Sequence, residues 1–149
     1  MSWHVKKFDE LSNRTLYEIM KERVSVFVVE QQCAYPEIDG KDYLCYHLFK
    51  EENGEIMAYL RIIPLGVSYE DAASIGRVFV KKEHRGQQLA QTLLEKGLEF
   101  LEDKLKEKRI RIQAQEYLKE FYGSFGFKAI SEVYLEDNIP HIDMELIID

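Results

Sequence analysis

The segment from Ile75 to Leu94 constrains the fold most, because a strand pattern runs through a glycine-containing loop directly into a helix pattern. The helix is well defined, since apolar residues recur on one helical face from Leu89 to Leu105. The first amides of a helix lack intrahelical acceptors, and the helix dipole favours negative charge there. A phosphate group can therefore sit over the backbone of Arg85 to Ala90, where Gly86 allows a close approach, although the same pattern also fits a basic loop followed by a core helix.

The strand ahead of this loop changes phase along its length. Its inward positions shift from Ala73 and Ile75 to Val78 and Val80. Such a slip predicts a β-bulge near Arg77.

The rest of the chain alternates between strand and helix patterns. Before the bulged strand we predict a strand at Trp3–Phe8, an amphipathic helix capped at Ser12 or by a Thr15–Glu18 capping box, and a hairpin of Tyr43–Phe49 with Glu55–Ile63. After the long helix we predict a strand at Ile110–Ala114, a short helix over Leu118–Phe125, and strands at Phe127–Val133 and Pro140–Ile148. This order predicts one α+β or α/β domain over residues 1–149, with strands and helices in layers.

Charge and cysteine content narrow the classes of function. Twenty Lys and Arg against twenty-seven Asp and Glu give a net charge of −7, which disfavours nucleic acid and anionic membranes as partners. Cys33 and Cys45 have neither zinc-site spacing nor disulfide density, and the four histidines have no paired ligand spacing, so we predict reduced thiols and no metal. The N-terminus has no signal-peptide pattern and no stretch has membrane-spanning length, so we expect a cytoplasmic protein.

The glycine loop resembles motif A of the GNAT superfamily of N-acetyltransferases. In that motif Gln or Arg, two residues, Gly, one residue and then Gly or Ala bind the pyrophosphate of coenzyme A, and Arg85, Leu89 and Ala90 fit this frame. Gln88 stands where the family usually has its central glycine. The bulged strand resembles the family's strand that pairs with the pantetheine arm. The resemblance implies that acetyl-CoA contacts Val78, Phe79, Val80, Arg85, Gly86, Gln87, Gln88, Leu89, Ala90 and Gln115.

A second segment, Gln115 to Phe127, resembles the C-terminal motif of the same family, an Asn followed by a helix with Tyr and then Gly-Phe. Tyr122 falls on that tyrosine, and Gln115 replaces the usual Asn. A phenol can protonate or hydrogen-bond a departing thiolate, so the resemblance implies that Tyr122 is catalytic. On its own pattern, Tyr122 would equally continue the apolar helix face of Leu118 and Phe125.

Further similarity points to the ElaA-like branch of this superfamily, and acyl-homoserine-lactone synthases share a looser version of it. The residues that carry this similarity are Val26–Asp42, His47 and Glu136–Met144. The carboxylates of this region, which would make the acceptor side acidic and suited to a cationic amine, are Glu30, Asp39, Asp42 and Glu136. Candidates for the general base are His47, His141 and Glu30 through water, and the residue types do not choose among them.

The resemblance implies a mixed, mostly antiparallel sheet of about six to seven strands flanked by helices. Its central parallel strands, ending at Val80 and near Gln115, would splay into a V that admits the pantetheine arm. The implied activity is transfer of the acetyl group of acetyl-CoA to a small-molecule or peptide amine. The alternatives are a non-catalytic acyl-CoA sensor and an enzyme like the acyl-homoserine-lactone synthases. A bare edge strand would allow pairing with a second copy.

Overall fold

The computed structural model describes residues 2–149. Its strands are β1 (Ser2–Lys7), β2 (Tyr46–Glu52), β3 (Glu55–Ile63), β4 (Ser74–Val80), β5 (Arg109–Gln115), β6 (Lys128–Ala129), β7 (Tyr134–Glu136) and β8 (Ile139–Ile147). Its α-helices are α1 (Asn13–Val24), which continues into a π-helical segment at Ser25–Glu30, α2 (Leu89–Asp103) and α3 (Lys119–Gly123). Within residues 2–149 no helix has both the length and the apolar character needed to cross a membrane.

The strands form two antiparallel groups that meet at one point. The first group has the order β1-β2-β3-β4, and in the second β8 pairs with β5, β6 and β7. The groups join through a parallel bridge between Ala73 and Ile110, with the Ala73 amide donating to the Arg109 carbonyl oxygen at 3.0 Å. Beyond the bridge β4 and β5 are not paired, which confirms the predicted splay between parallel central strands.

Helix α2 holds the first sheet in place. Its apolar face buries Leu93, Leu94 and Leu101 completely, as the leucine spacing predicts. Gly97 lies on the same face, and a Cβ there would come within 3.3 Å of a Leu60 methyl group on β3. The glycine therefore lets α2 pack closely on the sheet. The N-terminus of α2 lies at the splay between β4 and β5.

The predicted bulge near Arg77 is confirmed. Tyr59 pairs with Phe79 and Arg61 with Gly76, so Arg77 and Val78 together oppose one residue of β3. Arg77 has a φ of 53°, in the left-handed region that favours glycine. The bulge turns the second half of β4 towards the splay.

The structure corrects the predictions at three places. Ser12 caps α1, because its Oγ accepts from the Thr15 amide at 3.1 Å, and the Thr15–Glu18 box does not form the cap. Strand β2 begins after a 3-10 turn at Asp42–Leu44. The predicted strand at Phe127–Val133 is reduced to the two residues of β6, and a further short strand, β7, follows it. Asp137 and Asn138, with φ values of 50° and 63°, form the two-residue turn that folds β7 onto β8. The described chain thus has eight strands rather than six to seven.

Candidate functional site

The splay between β4 and β5 opens into a cleft of about 1040 Å³. One wall is β4, the loop after it and the start of α2, and the opposite wall is the end of β5 with α3. The loop of residues 31–41, called here the 31–41 loop, and the β7–β8 turn line the remaining side. The cleft is therefore built by segments from most of the chain.

The structure brings nearly all predicted site residues to this cleft. All of them line it except Gln87: Val78, Phe79, Val80, Arg85, Gly86, Gln88, Leu89, Ala90, Gln115 and Tyr122. Residues from two distant motifs thus face one space, as a site that holds an extended ligand requires.

The loop before α2 has the backbone of an anion site. Gly86 has a φ of 84°, and a Cβ placed on it would meet no atom within 4 Å, so open space adjoins the loop. Gln88 has a φ of 61°, so it adopts the conformation that favours glycine although it carries a side chain. The first helical hydrogen bond runs from the Thr92 amide to the Gln88 carbonyl oxygen, which leaves the amides of Leu89 and Ala90 without helical acceptors. These donors and the open space fit a pyrophosphate.

The Arg85 side chain is already engaged within the protein. Its Nε donates to the Val80 carbonyl oxygen at 2.9 Å, and its two terminal nitrogens donate to the Glu30 carboxylate at 2.8 and 3.0 Å. These bonds tie the phosphate loop to the end of the π-helical segment. The hydrogen bonds from Arg85 lower the pKa of Glu30, which makes Glu30 a poor general base.

Tyr122 lies at the base of the cleft, where 7% of its surface is exposed. Its ring packs edge-on against Phe121 and Phe127, with centroids 5.3 and 6.0 Å away. Burial raises the pKa of the phenol, so the hydroxyl carries its proton at neutral pH. Within the described chain we find no hydrogen-bond acceptor for this hydroxyl, although it is not sealed from the cleft. It is therefore free to donate to a ligand.

The two histidine candidates lie in different environments. His47 is completely buried outside the cleft, where its Nδ1 contacts the Tyr59 hydroxyl at 2.7 Å and its Nε2 the Asp42 carbonyl oxygen at 3.0 Å. Burial lowers the pKa of His47, and the residue packs as a neutral core histidine, so its candidacy as the base was wrong. His141 lines the cleft, with its Nδ1 2.7 Å from the Ile139 carbonyl oxygen.

The predicted acidic acceptor side was largely wrong, because most of its carboxylates are paired. The Arg61 guanidinium donates to Asp39 at 2.6 Å, and Arg23 donates to Asp42 at 2.6 Å. Although burial opposes it, the hydrogen bond from Arg61 holds the pKa of Asp39 well below its usual range. Glu30 is paired with Arg85. Among the predicted carboxylates, only Glu136 lines the cleft without an ion pair to another described residue.

Several cleft residues were missed by the sequence reasoning. They include Gln31, Cys33, Tyr35, Arg77, His84 and Tyr117. Gln31 accepts a hydrogen bond from the Gln115 side chain at 3.3 Å and so bridges from the π-helical end to β5. Gln31, Cys33 and Tyr35 lie in the N-terminal run that predicted an acceptor side, but residue order did not indicate which of its side chains face inward.

Comparison with known proteins agrees with this architecture. The acetyltransferase (GNAT) domain model matches residues 15–148. ElaA of Escherichia coli is 40% identical over 97% of this chain and 95% of its own length. A crystal structure of an acyl-CoA N-acyltransferase from Pseudomonas aeruginosa superposes with a TM-score of 0.91 at 40% identity, covering 97% of this chain and 98% of that one. A CoA-dependent acyl-homoserine lactone synthase has a TM-score of 0.81 over 99% of this chain and 83% of its own, but at 16% identity it shares the fold alone.

Proposed function

The chain belongs to the GNAT acetyltransferase family, in its ElaA-like branch, and from that premise we propose that it transfers the acetyl group of acetyl-CoA to an amine. The acceptor is a primary amine of a small molecule or peptide. Transfer is direct, in a ternary complex. The observation that carries the proposal is the single cleft in which a free-amide loop, a bulged strand and a protonated tyrosine face one another.

The phosphate loop and β4 position the thioester. The amides of Leu89 and Ala90 receive the pyrophosphate, while the bulged half of β4 offers main-chain groups to the pantetheine arm. A main-chain amide of this strand stabilises negative charge on the carbonyl oxygen as the amine attacks. Burial keeps the proton on the Tyr122 phenol, and Tyr122 donates this proton to the sulfur as coenzyme A departs.

His141 serves as the general base. Of the three candidates, Glu30 is held by Arg85 and His47 lies outside the cleft. The Ile139 carbonyl oxygen can only accept, so the tautomer that fits this contact donates from Nδ1 and leaves Nε2 with its lone pair. Nε2 takes the proton from the attacking amine. Glu136, on the same rim and free of ion pairs, favours a cationic amine as it arrives.

Calorimetric titration with acetyl-CoA, followed by a thiol-release assay over polyamines, amino sugars, peptides and S-adenosylmethionine, tests the proposal. Binding with amine-dependent thiol release is the expected result. Binding without turnover on any acceptor would favour a sensor, and release that requires S-adenosylmethionine would favour a synthase of homoserine-lactone type. Absence of binding would refute the proposal.

We also expect a cytoplasmic protein, in keeping with the free thiols of Cys33 and Cys45. Within residues 2–149 strand β1 pairs with β2 on one side and with no strand on the other, so a homodimer through this edge is a further expectation, which sedimentation would test.

A further inference from the structure

The 31–41 loop forms one wall of the cleft without any regular secondary structure of its own. Cys33, Tyr35, Pro36 and Asp39 all face the cleft. Such a segment has no backbone ladder to hold it, so its position depends on side-chain contacts. Two carboxylates of the loop make most of those contacts: Asp39 accepts from Arg61, and Glu37 accepts from residues of α1 and β4.

Glu37 is buried, and its carboxylate accepts hydrogen bonds from several donors. Its Oε2 accepts from Arg23 Nε at 2.8 Å and from Arg77 Nε at 2.7 Å, and its Oε1 accepts from the Tyr35 hydroxyl. Arg23 lies on α1 and has no exposed surface. Arg77 lies on β4, at the bulge. Glu37 therefore connects the 31–41 loop to α1 and to β4, the strand that forms one wall of the cleft.

Arg77 contacts the 31–41 loop at further points besides the Glu37 carboxylate. Its Nη2 donates to the Glu37 carbonyl oxygen at 3.2 Å and approaches Asp39 Oδ2 at 3.6 Å. Its guanidinium also lies over the Tyr35 ring, 5.6 Å from the centroid. A planar guanidinium makes these contacts together, which the single ammonium of a lysine does not.

The backbone of Arg77 makes this arrangement notable. A φ of 53° costs an ordinary side chain free energy that glycine or asparagine largely avoids. The side chain at this position nevertheless spans the cleft wall and binds the loop. The bulge thus has two structural consequences. It turns the main chain of β4 towards the cleft, and it directs the Arg77 guanidinium onto the 31–41 loop.

We propose that Arg77 is a positioning residue for the acceptor, which locks the 31–41 loop, and with it Tyr35, against the bulge that presents the thioester. The proposal rests on the acetyltransferase function proposed above. The proposal predicts different effects on the two substrates. Loss of the Arg77 contacts displaces the 31–41 loop and weakens acceptor binding, whereas the phosphate loop at Gly86 keeps its conformation and continues to bind acetyl-CoA.

The test compares Arg77→Asn with Arg77→Lys. Asparagine tolerates the left-handed backbone but is too short to reach Glu37, and lysine keeps the charge. The matched control is Lys106→Asn, which also replaces a cation by asparagine at positive φ, 58°, on an exposed residue of the α2–β5 connection.

Two readouts are used. The first is the rate at which Cys33 reacts with a disulfide reagent, because Cys33 is half-buried within the loop while burial raises the pKa of Cys45 to about 11 and slows its reaction. For Arg77→Asn we expect this rate to rise by about tenfold through local opening. The second is steady-state kinetics, where we expect the KM for the best acceptor of the amine panel to rise by about tenfold or more while acetyl-CoA affinity stays within about twofold. Arg77→Lys should recover part of both effects, and Lys106→Asn should show neither.

The outcomes separate the two proposals. An unchanged Cys33 rate in Arg77→Asn overturns the role of Arg77 in holding the loop. A faster Cys33 rate with an unchanged acceptor KM overturns the positioning of the acceptor. A wild-type protein that binds no acetyl-CoA refutes the proposed function instead, and the Cys33 comparison then still decides whether Arg77 holds the loop.

Discussion

Replacing Tyr122 by phenylalanine removes one oxygen from the base of the cleft and leaves the ring in place. The ring contacts with Phe121 and Phe127 hold it there, and the hydroxyl has no hydrogen-bond acceptor within the described chain. The substitution therefore leaves no protein group unpaired. We expect the free energy of unfolding to change by no more than about 0.5 kcal/mol.

The effect on turnover should be much larger. General acid catalysis contributes about 10²- to 10⁴-fold, and a thiol that ionises near pH 8.5 needs less help to depart than an alcohol, so the lower end applies. We expect kcat to fall by about 10²-fold, or about 2.7 kcal/mol of transition-state stabilisation. The affinity for acetyl-CoA should stay within about twofold, because main-chain groups bind the cofactor in the proposed site.

Thiol release measured at saturating acceptor, together with calorimetry on the same samples, separates these quantities. Tyr117→Phe is the matched control, because Tyr117 also lines the cleft but is 76% exposed and lies outside the buried base. Turnover of Tyr122→Phe within a few fold of wild type would refute the role of the phenol as an acid. A parallel loss of acetyl-CoA affinity would show instead that Tyr122 binds the cofactor.

Three further predictions concern the phosphate loop, the core histidine and the helix–sheet contact. Gly86→Pro is incompatible with a φ of 84° and removes an amide donor, so acetyl-CoA affinity measured by calorimetry should fall by about tenfold or more. Gly86→Ala is also strained at this φ but keeps the amide donor, so its loss of affinity should be smaller. The pKa of His47 lies below its unfolded value of 6.5, so its contribution to stability is present above pH 6.5 and is lost as pH falls below it, by at most about 1.4 kcal/mol per pH unit. The free energy of unfolding, measured in urea at pH 7.5 and 5.5, should therefore change less with pH in His47→Gln than in the wild type. An equal change in the two proteins would contradict a neutral buried histidine. Gly97→Val would overpack against Leu60 and should lower the free energy of unfolding by about 1–3 kcal/mol, while an unchanged denaturation midpoint would show that α2 can shift.

Local patterns in the sequence predicted the elements that build the cleft. The phase change in β4 predicted the bulge at Arg77, and the apolar spacing of α2 predicted its buried face, because both depend on side chains that recur at the period of one element. The glycine loop and the tyrosine motif predicted residues that the structure brings together at one cleft. The C-terminal strands were harder to delimit, because β6 pairs with β8 over two residues and a further short strand, β7, forms only where the chain folds back onto β8.

Which charged and titratable groups remain free was decided only by the tertiary structure. Glu30 is paired with Arg85, 55 residues away, and Asp39 with Arg61, 22 residues away. His47 has the residue type of a general base, but the packing of β2 buries it away from the cleft. The sequence by itself determined the kind of site and most of its main-chain framework, because these follow from short-range patterns. Only the fold determined which carboxylates are paired and which of the two candidate histidines, His47 and His141, faces the cleft, because partners distant in sequence meet only after the sheet and loops have packed.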